Sequence, residues 1–132
     1  MSNPNKHNNP WGMELNQYCM LMHLSQFSGF FIPFGGIVIP IVMWYVNKDE
    51  YVEVDLHGKR IMNWIISSLI YTLIALSIFL FSIATESFVF ISIGILLLVA
   101  LVVCSIVFII LGSTRSFKGE IYNYPMSINF IN

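Results

Sequence analysis

The side chains of this 132-residue chain that could do chemistry are few: three histidines, two cysteines and one short run of mixed charge. His7, His23 and His57 could in principle ligate a metal, but their separations fit no metal-binding repeat, and no His-Glu-x-x-His or Cys-x-x-Cys occurs. Asp49, Glu50, Glu53, Asp55, His57, Lys59 and Arg60 form the only concentration of ionisable groups. Carboxylates beside a histidine suit acid–base catalysis. Solvated charge of mixed sign at a membrane surface, serving solubility and topology, uses the same residues and is the reading favoured here, with a docking surface for a partner or lipid head groups as the alternative. Asp55 is placed as a helix N-cap and stands four residues before Lys59, the favourable order for a helical ion pair. His57 is assigned to the same interfacial turn, beside Glu53 and Arg60. Cys19 and Cys104 lie inside apolar runs and read as buried free thiols, with a disulfide as the alternative. There is no Gly-x-Ser-x-Gly, no phosphate loop and no paired carboxylate within an apolar run. The expectation is a protein that is not an enzyme, with no cofactor and no metal.

The elements that must position these residues follow from where charge is missing. Leu15–Asn47, Ile61–Thr85 and Ser87–Thr114 contain no Asp, Glu, Lys or Arg. About 20 mostly apolar residues suffice to cross a bilayer, so each stretch is long enough. Only 10% of the residues are charged, against about 25% in a soluble domain. The chain therefore reads as an integral membrane protein, and its net charge of −1 gives no case for nucleic acid. Residues 1–14 read as a flexible polar leader, residues 15–118 as a helical transmembrane domain with a loop at 48–60, and residues 119–132 as a cytoplasmic tail.

As one helix the first stretch would reach about 50 Å, well beyond a hydrocarbon core of about 30 Å. Pro33, Gly35, Gly36 and Pro40 interrupt it. The spacing predicts two short helices, roughly Glu14–Phe31 and Ile37–Val46, as a re-entrant hairpin or two thin crossings; a single kinked span is the alternative. The break is expected to pack against the later stretches near Ser67 or Ser105. From about Leu56 a long helix should run to Ala84, turn at Thr85–Ser87 and return as Phe88–Leu111, with Gly119 as a C-terminal cap. The fold class is thus an all-α membrane protein of about four helices: a short broken helical pair followed by a long antiparallel transmembrane hairpin. Lys48, Lys59, Arg60, Arg115 and Lys118 gather at one end, so the loop and both termini are predicted cytoplasmic in a bacterial inner membrane, with Glu86 opposite. Trp44, Tyr45, Tyr51, Trp64, Tyr122 and Tyr124 would form the aromatic belt at that boundary.

Polar residues inside the apolar stretches need partners. Asn16, His23 and Gln26 share a broad face of the first helix, and Asn63, Ser67 and Ser77 share a stripe of the next long one. These two faces are expected to meet, by structural bonding or around a polar cavity. Ala100, Cys104 and Gly112, at multiples of four, mark a close-packing line.

Several segments together resemble a known family: His23-Leu-Ser-Gln-Phe-Ser-Gly29, Pro33-Phe-Gly-Gly-Ile-Val-Ile-Pro40 with Trp44, Asp55-Leu-His-Gly-Lys-Arg-Ile-Met-Asn63, and Lys118-Gly-Glu-Ile-Tyr-Asn-Tyr-Pro125. Their order and spacing resemble the Tic-twenty-like family of small bacterial membrane proteins, over about Met20 to Ile131. That resemblance implies a four-helix membrane domain with both termini on one side and carries over no catalytic residues. The expected function is an accessory or scaffold subunit of a larger membrane complex, its partners being the lipid bilayer and other membrane subunits. The alternative is a pore or translocon-like element formed as a homo-oligomer or with other chains.

Overall fold

Pro33, Gly35 and Gly36 turn the first apolar stretch back on itself in the computed structural model, which describes residues 9–132. Helix α1 spans Leu15–Leu24 and tightens into a 3-10 segment at Ser25–Phe30; the chain turns and returns as α2, Gly35–Asn47. A continuous helix to Phe31 is not formed. The Ser25 and Ser28 hydroxyls donate to the Met22 and Ser25 carbonyls at 2.7 and 2.6 Å, and such local bonds compete with the regular ladder. Phe34 takes a left-handed φ of 62°, which costs a non-glycine residue about 1 to 2 kcal/mol. Glycine lets the two arms touch. A Cβ on Gly36 would lie 2.5 Å from the Gln26 carbonyl oxygen.

Helix α3 spans Val52–Ala84 and α4 spans Phe88–Phe117, joined at Thr85–Ser87. The connection from α2 to α3 is shorter than the expected loop at 48–60. Val54, Gly58 and Ile61 recur at helical spacing and are buried, so packing extends α3 four residues ahead of Leu56. Asp55 therefore lies within the first turns and caps nothing. Its carboxylate instead pairs with Lys59 at 2.7 Å, as expected, and accepts from Trp44 Nε1 at 3.0 Å. Helix α4 outruns the expected end at Leu111. Gly119, at φ 79°, closes it, with the Glu120 amide donating to the Arg115 carbonyl at 3.0 Å.

The short pair flanks only half of the long hairpin. Gly29 and Gly36 share a groove with Ser68 and Thr72 of α3 and Ser105 of α4. Gly36 of the break thus shares this groove with Ser105, near which the break is expected to pack. At 1.5 Å per residue, Ser68 is about 12 Å beyond Arg60, whereas Glu86 is about 39 Å beyond it. The pair is a short hairpin whose tip, Phe31 and Phe34, is exposed. Past it, among the described residues, α3 and α4 continue alone, drawn together where a Cβ on Gly94 would lie 2.9 Å from Phe79 Cβ.

Both ends of the described chain pack more than expected. Pro10 is buried within a turn at Pro10–Gly12, and Trp11 meets Tyr18 edge-on at 5.2 Å. Lys6 and His7, which bear on the leader and its side of the membrane, lie outside the described residues. The aromatic belt is corrected as well: Tyr51, Trp64, Tyr122 and Tyr124 are buried, while Tyr45 remains exposed.

Candidate functional site: a histidine pair closed by the C-terminal tail

The C-terminal tail after α4 is an apolar-faced extended loop with few internal hydrogen bonds, and α3 supplies what its backbone lacks. Asn63, Ser67 and Tyr71 stand at successive fours on one stripe of α3. Asn63 Oδ1 accepts from the Phe130 and Ile131 amides at 3.0 and 2.8 Å, and Asn63 Nδ2 donates to the Ile131 carbonyl at 2.9 Å. Ser67 Oγ accepts from the Ile128 amide at 2.8 Å, and the Tyr71 hydroxyl donates to the Met126 carbonyl at 2.8 Å. Backbone outside regular structure must have its polar groups satisfied by protein or water, and this ladder satisfies them. The expected meeting of the Asn63–Ser67 stripe with the polar face of the first helix is thereby corrected, because the tail occupies the stripe. Ser77 stands apart, exposed and bonded to the Leu73 carbonyl of its own helix.

The tail carries Tyr124 into the core. Its ring stacks on Trp64, with centroids 5.6 Å apart and planes 1° from parallel, and Phe108 meets Trp64 edge-on at 5.0 Å. Its hydroxyl sits 2.6 Å from His23 Nδ1 and accepts from Gln26 Nε2 at 3.0 Å. His23 Nε2 in turn lies 3.1 Å from His57 Nδ1, which is also 3.2 Å from Ser116 Oγ. His57 is therefore packed inside the protein rather than solvated with Glu53 and Arg60. It is 3% exposed, because Val54, Gly58 and Ile61 turn its face of α3 inward. Helix α4 admits the pair by having no side chain at Gly112, where a Cβ would come within 2.6 Å of His23 Nδ1.

Proton positions follow from the donors. Gln26 can only donate to the phenol oxygen, and Ser116 Oγ donates to the Gly112 carbonyl at 2.6 Å. One consistent arrangement then runs in a single direction: Tyr124 donates to His23, and His23 Nε2–H donates to His57. The reverse has His57 Nδ1–H facing Ser116 and His23 Nδ1–H donating to Tyr124. The first satisfies the pair without a charge, whereas the reverse leaves the Tyr124 hydroxyl hydrogen without an acceptor; the cluster ties α1, α3, α4 and the tail together. As a metal site it falls short: among the described residues no three His, Cys, Asp or Glu side chains converge.

The other expected residues are scattered. Asn16 is exposed beside Gly119, away from His23 and Gln26. Pro33, Gly35 and Gly36 form the turn, and Pro40 is buried in α2. Arg60 lines an open pocket with Asn123, Ser127 and Asn129 of the tail, separate from the Asp55–Lys59 pair. Of the Ala100–Cys104–Gly112 line only Gly112 is buried, and Cys19 and Cys104 are free thiols. A second polar lock was missed: Tyr18 donates to the Met43 carbonyl at 2.8 Å and accepts from Asn47 Nδ2 at 2.7 Å. The signal for it was an Asn at the end of an apolar run facing a Tyr early in the previous one.

Comparison with known proteins supplies the family. The model of the magnetosome magnetite crystal formation protein family, MamF/MmsF, matches residues 14–131, and the chain belongs to that family. This match overturns the resemblance to the Tic-twenty-like proteins; a small helical hairpin domain with short Pro/Gly motifs does not distinguish the two by inspection. No curated protein and no solved structure matches the chain.

Proposed function

We propose that this member of the MamF/MmsF family serves magnetite crystal formation as a non-catalytic accessory or scaffold subunit of the magnetosome membrane. The observation that carries this reading is the contrast between a closed interior and an open helical surface. Buried His23, His57, Gln26 and Tyr124 hydrogen-bond among themselves, as do Tyr18 and Asn47, whereas the outer half of the long hairpin presents Leu73, Leu80, Leu96 and Val103, each more than half exposed. Such a surface suits lipid and the helices of other membrane subunits. The basic end, with the termini, is assigned to the cytoplasmic side from its Lys and Arg residues.

The experiment is removal of the chain from a cell that builds crystals, followed by re-expression, with crystal number and size measured by electron microscopy. Fewer or smaller crystals, restored on re-expression, and co-purification with other magnetosome membrane proteins in mild detergent are expected. Normal crystals in its absence would overturn the reading. A self-associated pore is the second reading, favoured by the groove of about 360 Å³ into which Gln26, Ser68, Thr72 and Ser105 project. Conductance across a planar bilayer tests it, and a silent, stable oligomer would remove it.

A further inference from the structure

We infer that this protein is a membrane wedge: it fills one leaflet far more than the other and therefore prefers, and promotes, a bilayer curved with its basic end on the convex face. The inference rests on the membrane architecture and is independent of the scaffold reading above. Lys59, Arg60, Arg115 and Lys118 mark one surface of the bilayer and Glu86 the other. Between Arg60 and Glu86 lie about 39 Å of helix, enough for a hydrocarbon core of about 30 Å with some tilt. The re-entrant pair and the tail both stop near the middle of that distance. The groove containing Gly29 and Gly36 is level with Ser68 and Ser105, and the tail's turn at Met126 is held by Tyr71.

The half toward the basic end therefore holds α1, α2, α3, α4 and two passes of extended tail. Among the described residues the half toward Glu86 holds α3 and α4 alone, each about 10 Å across, pinched by the close approach of Gly94 to Phe79. Both inserted elements present apolar side chains outward: Phe31, Ile32 and Phe34 at the hairpin tip, and Met126, Ile128 and Phe130 on the tail. Residues of this kind settle among acyl chains, and insertion that expands one leaflet makes binding sensitive to curvature. Interior hydrogen bonds keep the wedge from collapsing, since Asn63, Ser67 and Tyr71 hold the tail in place.

The test uses the full chain, fluorescently labelled and reconstituted into phosphatidylcholine vesicles of mixed size. Protein per unit membrane area is read vesicle by vesicle, and the facing is read with an impermeant maleimide at Asn123→Cys. The expected result is a density about threefold higher in the smallest vesicles than in the largest, with Asn123→Cys labelled from outside. Uniform density across sizes, or enrichment with the basic end facing the lumen, would overturn the proposal. Asn63→Leu, which frees the tail, should reduce the enrichment. Should that variant not insert, tubes drawn from giant vesicles holding the unaltered chain give the same answer, by its enrichment or its equal density in the tube. Loss of crystals in cells bears on the scaffold reading and not on this one, so either can fail alone.

Discussion

The half of the molecule near its basic end and the half near Glu86 are built from the same two long helices by different rules. Near the basic end α3 and α4 are crowded: Trp64, His57, Asn63, Ser67, Ile109 and Ser116 are all buried. Near Glu86 the same helices expose Leu73, Leu80, Phe88 and Leu96, and of the large side chains between Leu69 and Val107 none is fully buried. Composition barely separates the halves, since both are apolar. The difference is that the crowded half has polar residues placed one to a contact and glycines where two backbones or a ring must approach. The open half needs only a helix that lipid can surround. Substitutions should therefore be costly in one half and mild in the other.

The largest effect is expected at Trp64, 2% exposed, stacked on Tyr124 and met edge-on by Phe108. Trp64→Ala should destabilise by about 3 to 5 kcal/mol, whereas Leu80→Ala in the open half should cost well under about 1, because its site is already exposed. Thermal unfolding in one detergent, followed by far-UV circular dichroism, compares the two. Equal effects would erase the distinction between the halves.

Next in size is Asn63→Leu, which leaves the Phe130 amide and the Ile131 amide and carbonyl without their partner. The cost is about 2 to 3 kcal/mol, and the tail should become protease-sensitive while α3 and α4 stay helical. A tail still protected would mean that apolar packing alone holds it. Gly112→Ala follows, at about 1 to 3 kcal/mol, since the added methyl meets His23 and must displace it from Tyr124 and His57. Gly94→Ala, close to the Phe79 backbone, is the corresponding change in the open half; a smaller loss there is expected because Phe79 is only part-buried and α3 can shift with few neighbours to displace.

How legible these halves were in the sequence follows the same division. The open half was readable almost to the residue, because absence of charge over Ile61–Thr85 and Ser87–Thr114 is a one-dimensional signal. The Pro33–Gly36 turn was readable because Pro and Gly act locally. The crowded half was not, because its contacts join residues far apart. Tyr124 reaches His23 across 101 positions, and Asn63 reaches Ile131 across 68. A short tail beyond the long apolar runs gave no sign that α3 would satisfy its backbone. His57 was misplaced for a related reason: the charges at Asp55, Lys59 and Arg60 face outward from the same helical turns that turn His57 inward. The family, too, lay beyond short motifs that any Gly/Pro-broken hairpin could share.

The smallest expected effect tests the open half at its extreme end. Glu86 is exposed in the turn between α3 and α4 and adopts φ 52°, a conformation that favours glycine. Its carboxylate makes no ion pair among the described residues. Glu86→Gln keeps the shape and removes only the charge, so stability should change by less than about 0.5 kcal/mol, as for most surface substitutions. Glu86→Gly removes the Cβ from a left-handed position, a gain that the greater freedom of glycine in the unfolded chain offsets, leaving a change within about 1 kcal/mol. Both should leave crystal formation intact when re-expressed in cells lacking the chain. The informative failure is a stable Glu86→Gln protein that no longer supports crystals. The charge would then be read by a partner on the Glu86 side, and the two halves would differ in which molecule each one meets rather than in how much each is built to hold.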